Sequence, residues 1–353
     1  MPRRNKSQKE TQNTFYRPKH SQDKGQAHIQ FGEDPKPLLQ EFGYCVIENV
    51  FTKEECYRKI DEIWDWLEGL NTGIDRKKSN TWTKEKWPIY VKRGMLQHTI
   101  AHEELMWTVR EHPNVLAVYE QIFNTNELLT SFDGAKFEIP PPKHKSFKVS
   151  EMSWLHTDQR PIPEHVSVED TYNSDYYSIQ GVANFADVGD LDGSLFVGER
   201  SHLYHHELFK LNNHEPSGDW YLITKNDLNW LQKVKKVNFV KVNALKGSLI
   251  LFDSRCIHSG YPAQKNRKDN KFRYVIYIAL TPAYRATGRD YALKMQSIKE
   301  GRCSTHWSSN NVTLFKPPRV YGKRPKYLDR PENIKNFRNW SRKRKLLAGI
   351  LRY

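Results

Sequence analysis

The sequence predicts a mainly β chain with flanking helices (α+β), its strands closing into a double-stranded β-helix, or jelly roll. Three observations lead there. From Leu128 onward the apolar period changes from helical to alternating. Short strands are then expected at 128–139, 152–158, 178–188, 193–199, 238–242, 247–253 and 272–281, with turn-forming residues between them. Upstream, the pattern over 35–123 is mostly helical, so helices flank the sheets.

Taken in order, residues 1–30 are polar and aperiodic, and a disordered basic tail is expected. Pro35 to Phe42 reads as a short helix and Tyr44 to Phe51 as a strand. Thr52 and Glu55 form a capping box for an amphipathic helix carrying Ile60, Ile63, Trp64, Leu67 and Leu70. A loop over 71–94 holds Trp82, Trp87 and Pro88 and suits a lid. Ala101 to Phe123 is helical with a break at Pro113. A Pro-rich turn at 140–142 follows the first alternating strand. Tyr221 to Val234 is partly helical, 286–300 is helical, and a further helix is expected within 331–349. The domain reading is a tail at 1–30, a jelly-roll body at 31–316, and a basic Pro/Arg-rich tail at 317–353.

Charge supports that division. The 353 residues carry a net charge of +15. Seven basic and two acidic residues lie in 1–27, and twelve basic and two acidic in 319–353, so the body is neutral. Basic ends favour a polyanion or nucleic-acid partner, unless they serve only as solvated ends. Arg342-Lys-Arg-Lys345 also matches the loose pattern of a nuclear address. No apolar run reaches the roughly 20 residues of a membrane helix, and the N-terminus lacks the pattern of a signal peptide. The four cysteines, Cys45, Cys56, Cys256 and Cys303, form no Cys-x-x-Cys. Free thiols and an intracellular setting, cytoplasmic or nuclear, are expected.

Chemistry concentrates in three stretches. Ser153-Trp-Leu-His156-Thr-Asp158-Gln159 holds the only His-x-Asp in the chain. On a strand, residues i and i+2 point to one face, so His156 and Asp158 can grip one ion. Gly247 to Gly260 supplies His258 as a third ligand. Two histidines and one carboxylate leave about three coordination positions open, the facial triad of non-haem Fe(II) oxygenases. Phe272-Arg273 opens the next strand, and an arginine there can clamp the far carboxylate of a chelating keto acid. Arg255 lies three residues before His258 and is expected to point away; Arg267 lies in a polar loop and is expected to face solvent. A rigid clamp belongs on an element, so Arg273 is the candidate. His102-Glu-Glu104 and His205-His-Glu207 are competing patterns. The first is in a helical stretch, where i and i+2 diverge, and both are expected to be surface groups.

These motifs resemble the phytanoyl-CoA dioxygenase (PhyH-like) family of Fe(II)/2-oxoglutarate oxygenases, over roughly residues 36–282. Beside the triad and arginine, Asp192-Gly-Ser-Leu195 and Gly198-Glu-Arg-Ser-His202 are similar to the family's Asn-Gly-x-Leu … Pro-Gly-Ser-His signature, with Pro-Gly altered. Where the family often has Ser two residues after the distal histidine, this chain has Gly260. Ser304-Thr-His-Trp307 and Pro317 to Gly322 resemble a branch found in large DNA viruses and algae. The resemblance implies a cupin-like fold and an oxidoreductase that binds iron at His156, Asp158 and His258. It implies 2-oxoglutarate held by Arg273, O2 as the third reactant, and hydroxylation of a substrate it does not identify, with release of succinate and CO2; a small molecule or acyl conjugate is favoured over a protein side chain or a nucleobase. Gln180 and Asn184 share one face of the next strand, within reach of the co-substrate or the ligands; a mutually satisfied polar pair is the plainer alternative. His202 is expected to order a loop. A second class stays open: a non-catalytic jelly roll directed to nucleic acid or protein by its basic ends.

Overall fold

The computed structural model describes residues 27–89, 95–98, 100–138, 154–163, 165–211, 218–264, 267, 271–320, 322–329 and 337–353. Most of the N-terminal tail, part of the 71–94 loop, the Pro-rich turn at 140–142 and residues 152–153 of the ligand strand lie outside these. So do residues 331–336 of the C-terminal helix expected from sequence.

Two sheets face each other. The larger has eight strands: β1 (His28–Gln30), β2 (Tyr44–Glu48), β3 (Met95–Leu96), β4 (Leu128–Thr130), β5 (Ala135–Glu138), β7 (Ile179–Asn184), β11 (Leu249–Asp253) and β13 (Arg273–Pro282). Their order is β1-β2-β11-β7-β13-β5-β3, with β4 also paired to β13. The smaller sheet runs β10-β8-β12-β6-β9. Its strands are β6 (His156–Thr157), β8 (Ser194–Gly198), β9 (Tyr221–Leu222), β10 (Phe239–Lys241) and β12 (His258–Tyr261). This is the jelly roll that the alternating pattern implies.

Helices cover the outer face of the larger sheet. α1 (Lys36–Phe42) leads into β2, and α2 (Lys53–Gly69) starts at the expected capping box, with Thr52 and Glu55 exchanging both bonds. α3 (Glu104–Arg110) and α4 (Pro113–Phe123) are divided where proline enters. Trp64 donates to the Tyr274 hydroxyl at 2.9 Å, and the Tyr119 hydroxyl of α4 donates to Ile278 O at 3.1 Å, fixing both helices to β13. Gly43 joins α1 to β2 at φ +81°, where a Cβ would fall 2.4 Å from Cys256 Sγ and from His202 Nδ1. Only glycine fits there. Trp82 packs edge-on to Phe272 at 4.8 Å, and Trp87 is also buried, so these tryptophans belong to the core and not to a lid.

Four boundaries move. The 1–30 tail ends early, because β1 pairs in parallel with β2. The 128–139 strand is two strands, and the described ligand strand is two residues long. Between β6 and β9 stand two short helices, α5 (Val168–Thr171) and α6 (His205–Leu211); α7 (Lys225–Asn229) follows β9. The largest correction is C-terminal. After α8 (Gly288–Glu300) the chain returns, and α9 (Arg342–Leu347) docks on the body. Leu346, Leu347 and Ala348 are buried, and Tyr353 donates to Leu128 O at 2.9 Å. The Arg344 guanidinium binds Glu104 at 2.7 Å and Glu111 at 2.9 Å. Residues 342–353 are part of the folded unit, and acids of α3 and the turn after it already neutralise Arg344. Among the described residues no helix is long and apolar enough to cross a membrane.

Candidate metal centre

Strand pairing brings the two histidines together. His258 of β12 lies directly opposite His156 of β6, with ring centroids 4.4 Å apart. Asp158 follows β6, its backbone N–H donating to Ser254 O at 3.2 Å. The donor atoms of His156, Asp158 and His258 all fall within 4.8 Å of one another, the one such cluster among the described residues. His156 Nε2 is 3.4 Å from one Asp158 oxygen, and His258 Nε2 is 3.4 Å from the other.

The tautomers follow from the partners. His156 Nδ1 lies 2.8 Å from Trp154 O, and His258 Nδ1 lies 3.0 Å from Cys256 O. A carbonyl only accepts, so both Nδ1 atoms carry the proton and both Nε2 atoms present a lone pair. That is the form a metal needs. Gln180 Nε2 donates to Asp158 Oδ2 at 3.0 Å, holding the carboxylate from the opposite sheet. Burial alone would raise the Asp158 carboxyl, but protonating His156 or His258 would set a cation against it, and that attraction holds the carboxyl well below the usual range, so Asp158 stays ionised beside the neutral, ligating imidazoles. Trp154 stacks on His156 at 4.4 Å, and Phe252 packs on His258 at 4.5 Å. Two neutral imidazoles and one carboxylate in a shielded cleft fit a first-row divalent metal such as Fe(II).

Arg273 heads β13 opposite Glu138. It shares a face with Val275, Tyr277 and Ala279, which pair with Asn184, Val182 and Gln180. That face looks toward the metal ligands, since Gln180 reaches Asp158 from it. Arg273 is only 7% exposed, its Nε is buried without a partner, and among the described residues it has no ion pair. A buried, unneutralised guanidinium is costly and invites a carboxylate from outside the chain.

The other sequence candidates sort differently. Asn184 is buried and donates to Ala186 O at 2.8 Å and Leu245 O at 3.0 Å, so both its donors tie loops. Its Oδ1 is left without a partner. Arg267 does not face solvent: it is 5% exposed and pairs with Asp192 at 2.9 Å. Arg255 grips Asp253 through two bonds, at 2.9 and 2.7 Å. His102 and His205 are not surface groups either. His102 is buried against Phe132, His205 bonds Gln159 O at 2.9 Å, and burial pushes them down to about 3 and about 4. His202 bonds Gln40 O at 3.0 Å, tying its turn to α1. Sequence reasoning missed Lys136. A Cβ on Gly260 would lie 4.0 Å from both Lys136 Nζ and Trp154 Cζ2, so a lysine borders the place where the family often has serine. Its alternation with Glu138 on the 128–139 strand was the available signal. It missed His306 too, which is buried on a segment whose Asn311 accepts from Arg160, two residues beyond Asp158.

A jelly roll that gathers two histidines and a carboxylate, with an arginine on the facing sheet that has no ion pair among the described residues, is the arrangement expected of a non-haem Fe(II)/2-oxoglutarate oxygenase. Residues 39–268 match the family described as phytanoyl-CoA dioxygenase (PhyH), and the chain belongs to that family. It is a dioxygenase that uses Fe(II), 2-oxoglutarate and O2. "Ava biosynthesis cluster protein O" of Aspergillus versicolor is 27% identical over 279 residues, 77% of this chain and 84% of that protein. The structure of GlcNAc Inducible Gene 2 from Candida albicans has the same fold, with TM-score 0.59 and 12% identity over 92% of this chain and 80% of that one. A non-heme alpha ketoglutarate dependent carbocyclase of nogalamycin biosynthesis aligns with TM-score 0.43 and 15% identity, over 70% of this chain and 82% of that one.

Proposed function

We propose that the protein hydroxylates a small organic substrate or acyl conjugate, with His156, Asp158 and His258 as iron ligands and Arg273 as the 2-oxoglutarate clamp. The observation that carries this reading is the pairing of an ordered donor triad with a buried guanidinium that has no counter-ion among the described residues. Iron bound here supplies the coupling of oxidative decarboxylation of 2-oxoglutarate, giving succinate and CO2, to oxygen insertion at a C–H bond. The protein's part is orientation and shielding. Trp154 O and Cys256 O hold the imidazoles in the ligating tautomer. Gln180 fixes the carboxylate, and Phe252 and Trp154 keep water from the ligand rings. Arg273 receives the far carboxylate through a charge-assisted pair. The biosynthesis-cluster name of the Aspergillus relative supports a small-molecule substrate. Four buried free cysteines support a reducing, intracellular setting. No observation favours a non-catalytic binding role, since the C-terminal cations that would carry it include Arg344, which is bound within the fold.

The test is succinate formation from 2-oxoglutarate by the Fe(II)-loaded protein, read beside metal affinity. Asp158→Ala should abolish both. Arg273→Ala should raise the 2-oxoglutarate KM by roughly 30-fold or more, since losing a buried charge pair costs about 2–5 kcal/mol, and leave metal affinity intact. Retained turnover in Asp158→Ala would refute the ligand set; an unchanged KM in Arg273→Ala would refute the clamp.

A further inference from the structure

The segment after α8 returns across one end of the sandwich, outside the residues that match the family. It is fastened on both sides of His306. Ser304 exchanges two bonds with Phe132, each 3.0 Å. The Thr281 hydroxyl lies 2.6 Å from both Ser308 and Ser309. Asn310 donates to Asp175 O at 2.9 Å, and Arg160 donates to Asn311 at 2.7 Å. His306, 6% exposed, sits between these fastenings, and its buried Nε2 has no hydrogen-bond partner among the described residues. A buried imidazole nitrogen left open is costly unless something else bonds it.

Its surroundings say where that partner lies. Thr281, bonded to Ser308 and Ser309, lies two residues from Ala279, which pairs with Gln180, and Gln180 bonds Asp158; Arg160, bonded to Asn311, is itself two residues from Asp158. His306 stands beside the metal site without joining the cluster of three donors. Thr281, which fastens its segment, is eight residues along β13 from Arg273, roughly 26 Å at the ordinary strand rise. The co-substrate clamp is at one end of this strand and His306 is near the other. Trp220, 52% exposed and 5.8 Å from the His156 ring, gives the same neighbourhood an apolar face.

We propose that His306 is a substrate-positioning residue, whose ring hydrogen-bonds a hydroxyl, carbonyl or amide of the substrate on the side of the metal remote from Arg273. The proposal rests on reading the triad as the metal site. It narrows the substrate to molecules with a polar group near the reacting carbon and an apolar part that can lie along Trp220. A site that hydrogen-bonds its ligand discriminates strongly against the analogue lacking that group.

Phenol and toluene, equal in shape and differing in one hydroxyl, test this on the full-length protein loaded with Mn(II) and 2-oxoglutarate. Paramagnetic broadening of ligand NMR signals reports only binding near the metal. Broadening of 2-oxoglutarate is the control, and its absence would count against the Proposed function itself. The wild type should bind phenol about tenfold more tightly than toluene, the scale of one net hydrogen bond. His306→Phe keeps a ring but no hydrogen-bonding atom and should bring the two within about twofold, with 2-oxoglutarate broadening unchanged. His306→Gln should restore part of the preference. Equal preference in wild type and His306→Phe, no preference in the wild type, or broadening of neither fragment would overturn the proposal. If His306→Phe does not fold, His306→Ala decides on the same measurement.

Discussion

Gln180 does for Asp158 what backbone carbonyls do for the two histidines: it leaves the ligand one orientation. Its bond crosses from the larger sheet to the smaller. Gln180→Leu keeps much of the volume and removes the donor, so metal affinity should fall about 10–100-fold; a titration with Co(II) or Ni(II) checks it, and equal affinity would show Asp158 to be held by its two histidines alone. Arg255 and Asp253 present a second case, a fully buried ion pair within five residues of His258. Asp253 N also donates to Gly43 O at 2.9 Å, so the pair stands where α1 meets β2 and β11. Arg255→Ala would leave a buried carboxylate unpaired, and urea unfolding should show a loss of about 3–5 kcal/mol. A loss under about 1 kcal/mol would mean that Asp253 finds another partner or takes up a proton.

At the scale of elements, what was legible in the sequence was local. The capping box at Thr52, the break at Pro113 and the long apolar run of β13 each depend on neighbours within a few residues. What was not legible depended on distant partners. β6 is two residues long, set between β12 and β9, and Asp158 leaves the strand to bond Gln180 of the other sheet. Arg267 reads as a loop cation until Asp192, far back in the chain, is seen beside it. α9 reads as a basic tail because its acids, Glu104 and Glu111, are more than two hundred residues away. The triad was readable since i and i+2 spacing is itself local; His306 was not, because nothing near it announces the metal. The docking of α9 is testable. Removing residues 337–353 strips Leu346 and Leu347 from the core and uncovers Trp107, which packs on Trp340 at 4.8 Å. At about 1.5–3 kcal/mol per buried apolar side chain, the truncated protein should lose about 4 kcal/mol or more and melt well below the intact one. An unchanged melting temperature would show the helix to be an appendage.

Across the whole molecule, the two sheets divide the work. The two histidines of the proposed triad belong to β6 and β12 of the smaller sheet and Asp158 directly follows β6, while Gln180 and Arg273 belong to the larger. Metal alone should therefore slow amide exchange mainly in β6, β8 and β12. With Arg273 as the proposed clamp, metal with 2-oxoglutarate should slow β13 as well, because the co-substrate would then touch both sides. Hydrogen exchange read by mass spectrometry distinguishes these outcomes; equal protection of both sheets by metal alone would mean that they are already one rigid unit.

That division has a kinetic meaning. A dicarboxylate chelating the ion at one end and pairing with Arg273 at the other is a strut between two walls, and it cannot brace them until the ion gives it a footing. Addition should then be ordered, metal before 2-oxoglutarate, and release should run in reverse. The small acid, although no part of the chain, becomes the bolt that keeps the ion in: 2-oxoglutarate should slow the escape of metal to an external chelator, and Arg273→Ala should let it go.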